Sequence, residues 1–583
     1  MERQLKLTMA VPISTKSEAI KRREVRLERL HRRRQKRLAF SAALMIAAVA
    51  AFLFFSTKSP QAFSASGEFK LANPADLPPA PEGPAPFEGV KLGVVSSGTE
   101  TGEPGEPAAM AAQLQELPQE STAEPEVQEP RQVLQAVPTQ AQVISYPEGA
   151  PMLYYAQSGD SLGVLAVRFG VEVQDISSSD PLPSDGFIPE GQLLLIPNRL
   201  DETTSPLKLI PDSEVVNSPS AVGFDVDEFV RQAGGYLARY EEAVYGFGTM
   251  RGADIIEKVA LEFSIHPRLL LALLEYESGW VYGGPQTNQQ KTYPLGVSNS
   301  DTIGLYKQLE AAAGIIASGY YGWREGTVVV LEFPDGNEVR LSAELNCGTV
   351  GLMHFFSKQG NFPEWAEALY GEKGFAWTYQ NMFGDPWLRA VDFEPLFTPD
   401  VLQPELQLPF EKGVTWSMTV GPHAAWGAAA VRAALDFAPP SAETGCQTNW
   451  AWVNAAGPGL VVRSEDGAVV VDMDGDGNEQ TGWNIIYLHI ATNKRVPVGT
   501  WVEAGDHIGH PSCEGGISTG THLHIVRKYN GEWVPADGPL GFVMSGWRAK
   551  AGSASLSGWL VRNDQVVKAS VVGATSSHIS LDD

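Results

Sequence analysis

The chain of 583 residues carries 43 Lys plus Arg against 69 Asp plus Glu, a formal net charge of −26. At about 100–200 residues per domain this length calls for several cores, and three cysteines, Cys347, Cys446 and Cys513, exclude a scaffold built on disulfides. Cys446 and Cys513 lie in the same β-rich segment and could pair, leaving Cys347 free; buried thiols are the alternative.

The charge is unevenly spread. Residues 1–37 form a basic arm, KRREVRLERLHRRRQKR at its end, and residues 38–56 follow with LAFSAALMIAAVAAFLFF. That run holds no charge over about 18 residues, which at about 1.5 Å per residue nearly spans a bilayer core. Positive charge before it sets the amino terminus in the cytoplasm, so an uncleaved transmembrane anchor is expected, with the chain outside the cell membrane from about residue 57. A cleaved signal peptide is the alternative, small residues following at Ala62 to Ser66. Membrane orientation accounts for the arm's charge, and the arm shows no recognition helix, so nucleic acid is not an expected partner.

Residues 57–150 are rich in Pro, Ala, Glu and Gln, as in NPADLPPAPEGPAPFEG, with little apolar periodicity. Such a stretch buries too little to fold and reads as an extended acidic spacer.

Within residues 151–200, Ser158-Gly159-Asp160-Ser161 is a helix-start signal followed by Leu162, Leu165, Ala166 and Phe169 at helical spacing, and Leu193 to Pro197 reads as a closing strand. The GDSL, FGV and PEGQLLLIP pieces resemble a LysM domain. That resemblance implies a small βααβ unit binding N-acetylglucosamine-containing glycans such as peptidoglycan.

Residues 226–400 read as mostly helical. FDVDEFVRQAGGYLARYEEAV, IIEKVALEF and PRLLLALLEYESGW each carry three-to-four-residue apolar spacing, with Pro267 at a helix start and Leu270, Leu271, Ala272 and Leu274 facing a core. ESGW at Glu277 to Trp280, GLYKQ at Gly304 to Gln308 and LNCG at Leu345 to Gly348 resemble the lysozyme-like lytic transglycosylases in order. The resemblance implies that Glu277 protonates a glycosidic oxygen, which needs a carboxyl raised by apolar surroundings. The spacing between pieces departs from the family, as do Cys347 and Tyr306-Lys307.

Residues 401–548 change to alternating apolar residues between Gly turns, the pattern of an antiparallel β domain, and residues 549–583 read as a tail. His522-Leu523-His524 is the informative motif, because residues i and i+2 on a strand share a face and two imidazoles can converge on one centre. Zinc takes His nitrogen and carboxylate oxygen, three protein ligands sufficing for a catalytic site. GPHAAWG at His423, ALDFAPP at Asp436, IIYLHI at His489 and TGTHLHI together resemble the lysostaphin/LytM metallopeptidases. The resemblance implies Zn2+ on His423, Asp436 and His524, with His489 and His522 as the catalytic pair. About a dozen residues separate His423 from Asp436, against about four usual in that family, so coordination requires that segment to fold back. Asp472, Asp474 and Asp476 in DMDGDGNEQTGW suggest either a calcium loop, its twelfth position occupied by Trp483 where an acid is expected, or an acidic hairpin tip.

The fold class expected is multidomain: a transmembrane helix, a small βααβ LysM unit, a mostly α lysozyme-like domain and an antiparallel all-β LytM-type peptidase domain. The function expected is a membrane-anchored extracellular hydrolase cutting peptidoglycan peptides, with glycan binding and glycan-strand cleavage as further expectations. A noncatalytic protein that tethers peptidoglycan and activates another hydrolase is the alternative.

Overall fold

In the computed structural model, residues 144–145 and 151–581 are described, apart from 399, 428–430, 442–443 and 448. The expected arm, anchor and nearly all of the spacer fall outside the described residues. Among the described residues no helix is long and apolar enough to cross a membrane.

β1 (Pro151–Tyr155) pairs antiparallel with β2 (Leu193–Pro197), Tyr154 opposite Leu194. Between them α1 (Leu162–Phe169) buries Leu165, Ala166 and Phe169 and stops at Gly170, whose φ of 64° accommodates the left-handed turn. The expected βααβ pattern is corrected here: the second helix is a single 3-10 turn, Val173–Asp175. Pro181 and Pro183 bar a longer helix in this connection. Asp160 does not cap α1 but pairs with Arg168 at 2.8 Å, both 2% exposed.

The helical part includes α2 (Val226–Ala233), α3 (Gly252–Phe263), α4 (Pro267–Ser278), α5 (Leu305–Arg324) and α6 (Cys347–Ser357), with further helices at Asn288–Thr292, Phe362–Tyr370, Phe375–Phe383 and Pro386–Ala390. α2 ends well before the Val244 expected from its apolar spacing, because Gly234 adopts a φ of 70° and closes the helix. Glu241–Val244 then forms a hairpin with Gly248–Arg251. α4 does start on Pro267 and buries every residue from Leu269 to Leu274. It is a helix enclosed on all sides rather than an amphipathic one.

The β part is built on one nine-stranded antiparallel sheet. Eight of its strands are β3 (Trp416–Ala424), β4 (Arg432–Ala438), β5 (Gly459–Glu465), β6 (Ala468–Asp472), β7 (Trp483–Leu488), β8 (Trp501–Val502), β9 (Leu523–Tyr529) and β10 (Glu532–Trp533), and the ninth comes from the end of the chain. Within the segment expected as a tail, residues 549–583, the described residues up to 581 contribute strands. β11 (Trp547–Ala551), β12 (Gly558–Arg562) and β13 (Gln565–Lys568) make a meander, and β14 (His578–Ile579) pairs with β3 at the sheet edge. Leu560 and Ile579 are fully buried, so this segment completes a core. The order across the large sheet is β8-β5-β6-β7-β9-β4-β3-β14, with β10 folded back on β9.

Both faces of that sheet are covered. Val470, Ile486 and Val526 share one core with the helices, while their neighbours Val471, Ile485 and Ile525 belong to the core on the opposite face, as a period of two requires. Trp533 Nε1 donates to Phe263 O at 3.2 Å, and Ser264 Oγ donates to Gly531 O at 2.6 Å. Arg324 meets Glu532 at 2.6 Å. Helices and sheet therefore meet through a shared core, and the boundary expected at 400/401 separates sequence patterns but not hydrophobic clusters.

Candidate metal centre

The centre forms where β3, β4, β9 and the end of β7 lie side by side. The strands bearing His423 and Asp436 do come back together: β3 and β4 pair antiparallel, Ala434 opposite His423. Asp436 then faces His524 across the β4–β9 ladder, and Leu488 faces His524 from the other side. His423, Asp436 and His524 offer ligand atoms that all lie within 4.8 Å of one another. His423 Nε2 is 3.3 Å and His524 Nδ1 3.1 Å from the same Asp436 oxygen, Oδ1. His522, two residues before His524, points Nε2 at Asp436 Oδ2 from 3.5 Å.

His489 enters from the end of β7. It adopts a φ of 64°, a left-handed conformation uncommon outside glycine, in which histidine is over-represented. The ring lies 4.4 Å from that of His522 and 6.2 Å from that of His524, centroid to centroid. The structure thus brings together five of the six site residues singled out in the sequence.

Backbone carbonyls set the tautomers of all four rings. A carbonyl can only accept, so the nitrogen facing it carries the proton. His423 Nδ1 donates to Gly421 O at 2.9 Å, and His524 Nε2 donates to Ala425 O at 3.0 Å. His489 Nδ1 donates to Glu514 O at 3.0 Å, and His522 Nδ1 donates to Gly520 O at 2.8 Å. Each neutral ring consequently keeps its other nitrogen as a free lone pair. For His423 and His524 that nitrogen is the one beside Asp436, which is the second-shell arrangement of metal-ligating histidines.

Burial and the Asp436 carboxylate set the electrostatics of the centre. Burial works against charge on Asp436, but the adjoining His423 and His524 rings, when protonated, overcome it and hold the carboxyl well below the usual carboxylate range. Burial likewise opposes charge on His423, yet Asp436 lifts that ring above its ordinary value. Burial lowers His524 despite the same neighbour. Burial, with the nearby His522 and His524, pushes His489 down to about 3. An ionised carboxylate and neutral imidazoles form a donor set suited to zinc.

Residues beyond the six hold the walls of this centre, among them the two cysteines that the sequence left open between a disulfide and buried thiols. Cys446 and Cys513 form a disulfide that joins the segment after β4 to the segment before β9. Ser512 Oγ donates to His489 O at 3.0 Å, and Ser518 Oγ lies 3.3 Å from His522 Nδ1. The carbonyls of Gly421, Ala425, Glu514 and Gly520 carry no sequence signal, since every residue type offers one.

Glu277 lies elsewhere, on the last turn of α4. Burial alone pushes its carboxyl up to about 7. It lies close to Gly296, whose segment is held by the buried Gln308: Gln308 Oε1 accepts from Leu295 N at 3.0 Å, and Nε2 donates to Val297 O at 2.7 Å. Trp280, expected beside Glu277, packs its ring on Tyr236 and Tyr240 in the core. Cys347 is buried at the start of α6 and its thiol is pushed up by that burial. His266 is a satisfied core residue, 3.0 Å from Ser220 Oγ, and His507 stacks on Trp452 at 4.0 Å.

A β scaffold presenting one carboxylate and two imidazoles at a single point, flanked by two further imidazoles with free lone pairs, defines a candidate metal-dependent hydrolytic centre. Residues 208–396, most of the segment expected to be lysozyme-like, match the family described as LasA, N-terminal domain. Over 306 residues the chain is 25% identical to Protease LasA of Pseudomonas aeruginosa strain UCBPP-PA14, covering 49% of this chain and 68% of that relative. Similar solved structures include the M23 metalloprotease pseudoalterin from the deep sea, with 24% identity over 29% of this chain and 96% of that one and a TM-score of 0.24. Another is a zinc-containing peptidase from Vibrio cholerae, with 20% identity over 24% of this chain and 41% of that one and a TM-score of 0.18.

Proposed function

We propose that this chain is a zinc-dependent endopeptidase that cuts the peptide part of peptidoglycan. The observation that carries the reading is the convergence of His423, Asp436 and His524 donor atoms within 4.8 Å, with the inward nitrogens of both rings unprotonated. The similarity to a relative named Protease LasA supports the peptidase class. Zinc bound by these three residues supplies Lewis-acid polarisation of the scissile carbonyl and an acidified water.

The chain's own residues do the rest. His489 and His522 keep Nε2 free because Glu514 O and Gly520 O take their Nδ1 protons. One of these Nε2 atoms removes a proton from the attacking water as a general base; once protonated, it donates to the carbonyl oxygen as negative charge builds there. The left-handed backbone at His489 directs that ring into the centre, and the disulfide fixes the strip that orients both rings.

The proposal includes a membrane anchor at residues 38–56 with all later residues outside the cell, and glycan binding by residues 151–200. It also includes a second, glycan-directed activity at Glu277. Its carboxyl, raised to about 7 by burial, holds a proton where a general acid needs one. The test is zinc content together with mass spectrometry of peptidoglycan digests. His524→Ala and Asp436→Ala should lose zinc and new peptide ends together, whereas His489→Ala and His522→Ala should keep about one zinc and lose the peptide ends. Glu277→Gln should remove only glycan cleavage. A wild-type protein that binds no stoichiometric zinc and releases no peptide ends would refute the peptidase reading.

A further inference from the structure

The end of β6 and its connection to β7, residues 472–482, contain a cluster that the peptidase reading does not use. Asp472, Asp474 and Asp476 bring carboxylate oxygens within 4.8 Å of one another. Such crowding of like charge is unfavourable without a counter-charge. The nearby buried cations are already engaged with a different acid: Arg463 at 3.0 Å and Lys528 at 3.2 Å both hold Glu479. Among the described residues no Lys, Arg or His forms an ion pair with any of the three aspartates.

A separate observation points to a ligand. Asn484 is fully buried on β7 directly opposite Asp472 on β6, so both side chains leave the sheet on the same face. Its Nδ2 donates to Thr481 O of this same connection at 2.8 Å, but its side-chain oxygen Oδ1 has no hydrogen-bond donor. Lys528, the next residue in register on the far side, gives its ammonium to Glu479. Asn484 thus stands in register between Lys528, whose ammonium is engaged, and Asp472. The three carboxylates accept from Asp474 N, Gly475 N and Gly477 N, from Asp476 N, and from Asn478 and Thr481, but among the described residues meet no basic side chain; a buried carbonyl is almost always paired, and one left open beside them points to an absent cation.

We propose that Asp472, Asp474, Asp476 and the side-chain carbonyl of Asn484 bind one calcium ion. Every donor is an oxygen, in contrast to the nitrogen-bearing set at His423, Asp436 and His524, and hard oxygen donors select calcium or magnesium over zinc. Calcium takes six to eight oxygens in irregular geometry and accepts neutral carbonyls, whereas magnesium demands an octahedron and retains its waters. The neutral donor one residue beyond Trp483 stands in for the acid that a twelve-residue calcium loop would place at Trp483. The bound ion would clamp the β6–β7 connection at one end of the strand whose other end delivers His489.

Trp501 supplies a readout, since its ring packs within 2.8 Å of where a Cβ on Gly475 would lie. Zinc-loaded protein in calcium-free buffer is titrated with terbium while tryptophan is excited, and then with calcium. The expected result is sensitised terbium emission that calcium displaces at about one ion per chain, with a calcium-dependent rise in Tm. Asp474 and Asp476 are exposed, so D474N/D476N should fold normally, verified by an unchanged Tm without calcium, and should show neither effect. N484A should weaken calcium binding at least tenfold while leaving zinc content unchanged. Absence of calcium-displaceable emission in folded wild type, or wild-type calcium affinity in D474N/D476N or in N484A, would overturn the site. Displacement by magnesium as readily as by calcium would overturn the choice of ion.

Discussion

Replacing Cys446 and Cys513 by Ser should lower stability and turnover by separate routes. The bridge spans 67 residues of sequence, and closing a loop of that length in the unfolded chain is worth about 4 kcal/mol on the loop-entropy relation. For a cooperative unit of about 150–250 residues, about 2–4 °C of Tm accompanies each kcal/mol, giving a fall on the order of 10 °C. The activity loss has a local cause. Cys513 sits between Ser512, which donates to His489 O, and Glu514, whose carbonyl holds His489 Nδ1. Thr521 N donates to Gly445 O and Thr521 Oγ1 to Gln447 O, so the Cys446 segment also steadies the approach to His522. The residues proposed to hold zinc lie on β3, β4 and β9, off this strip, so zinc content should stay near one per chain while the rate of muropeptide hydrolysis falls. Calorimetry, atomic absorption and a hydrolysis assay read the three quantities. A double variant with wild-type Tm and rate, or one whose zinc is lost in step with activity, would refute this account.

Two further outcomes follow from buried charges. Arg324→Met removes the partner of Glu532, whose side chain is 1% exposed and bonded at 2.6 Å; leaving a buried carboxylate unpaired costs about 3–5 kcal/mol, to be read from urea denaturation. Burial already pushes Glu532 up to about 7 against the pull of Arg324, so the variant should be less damaged at pH 5, where the carboxyl is protonated, than at pH 8. Glu277 is raised from an ordinary 4.5 to about 7 by burial. The stability contributed by its proton is fully present below about pH 4.5 and is lost as pH rises through about 7. Glu277→Gln should therefore flatten the stability profile over that window; a slope equal to wild type would count against the raised carboxyl.

Local patterns in the chain were enough to locate much of the centre. The spacing of His522 and His524 put two imidazoles on one strand face, and Pro267 with the leucines after it marked α4, because both signals depend only on neighbours in sequence. Composition likewise separated helical from β-rich segments. Other features needed distant partners. Whether His423 could reach Asp436 depended on β3 and β4 pairing across an unusually long connection, and whether residues 549–583 were a tail depended on β14 finding the edge of β3. One hydrophobic cluster crosses residue 400 because the strands bearing Ile486 and Val526 bury their second face against helices far away in sequence. The tautomers of four histidines rest on carbonyls that no side chain announces, and the open oxygen of Asn484 gains meaning only from standing opposite Asp472. Periodicity and motif are written in sequence because they act over a few residues; register, burial of a second face and the pairing of polar groups are set by the whole chain closing on itself.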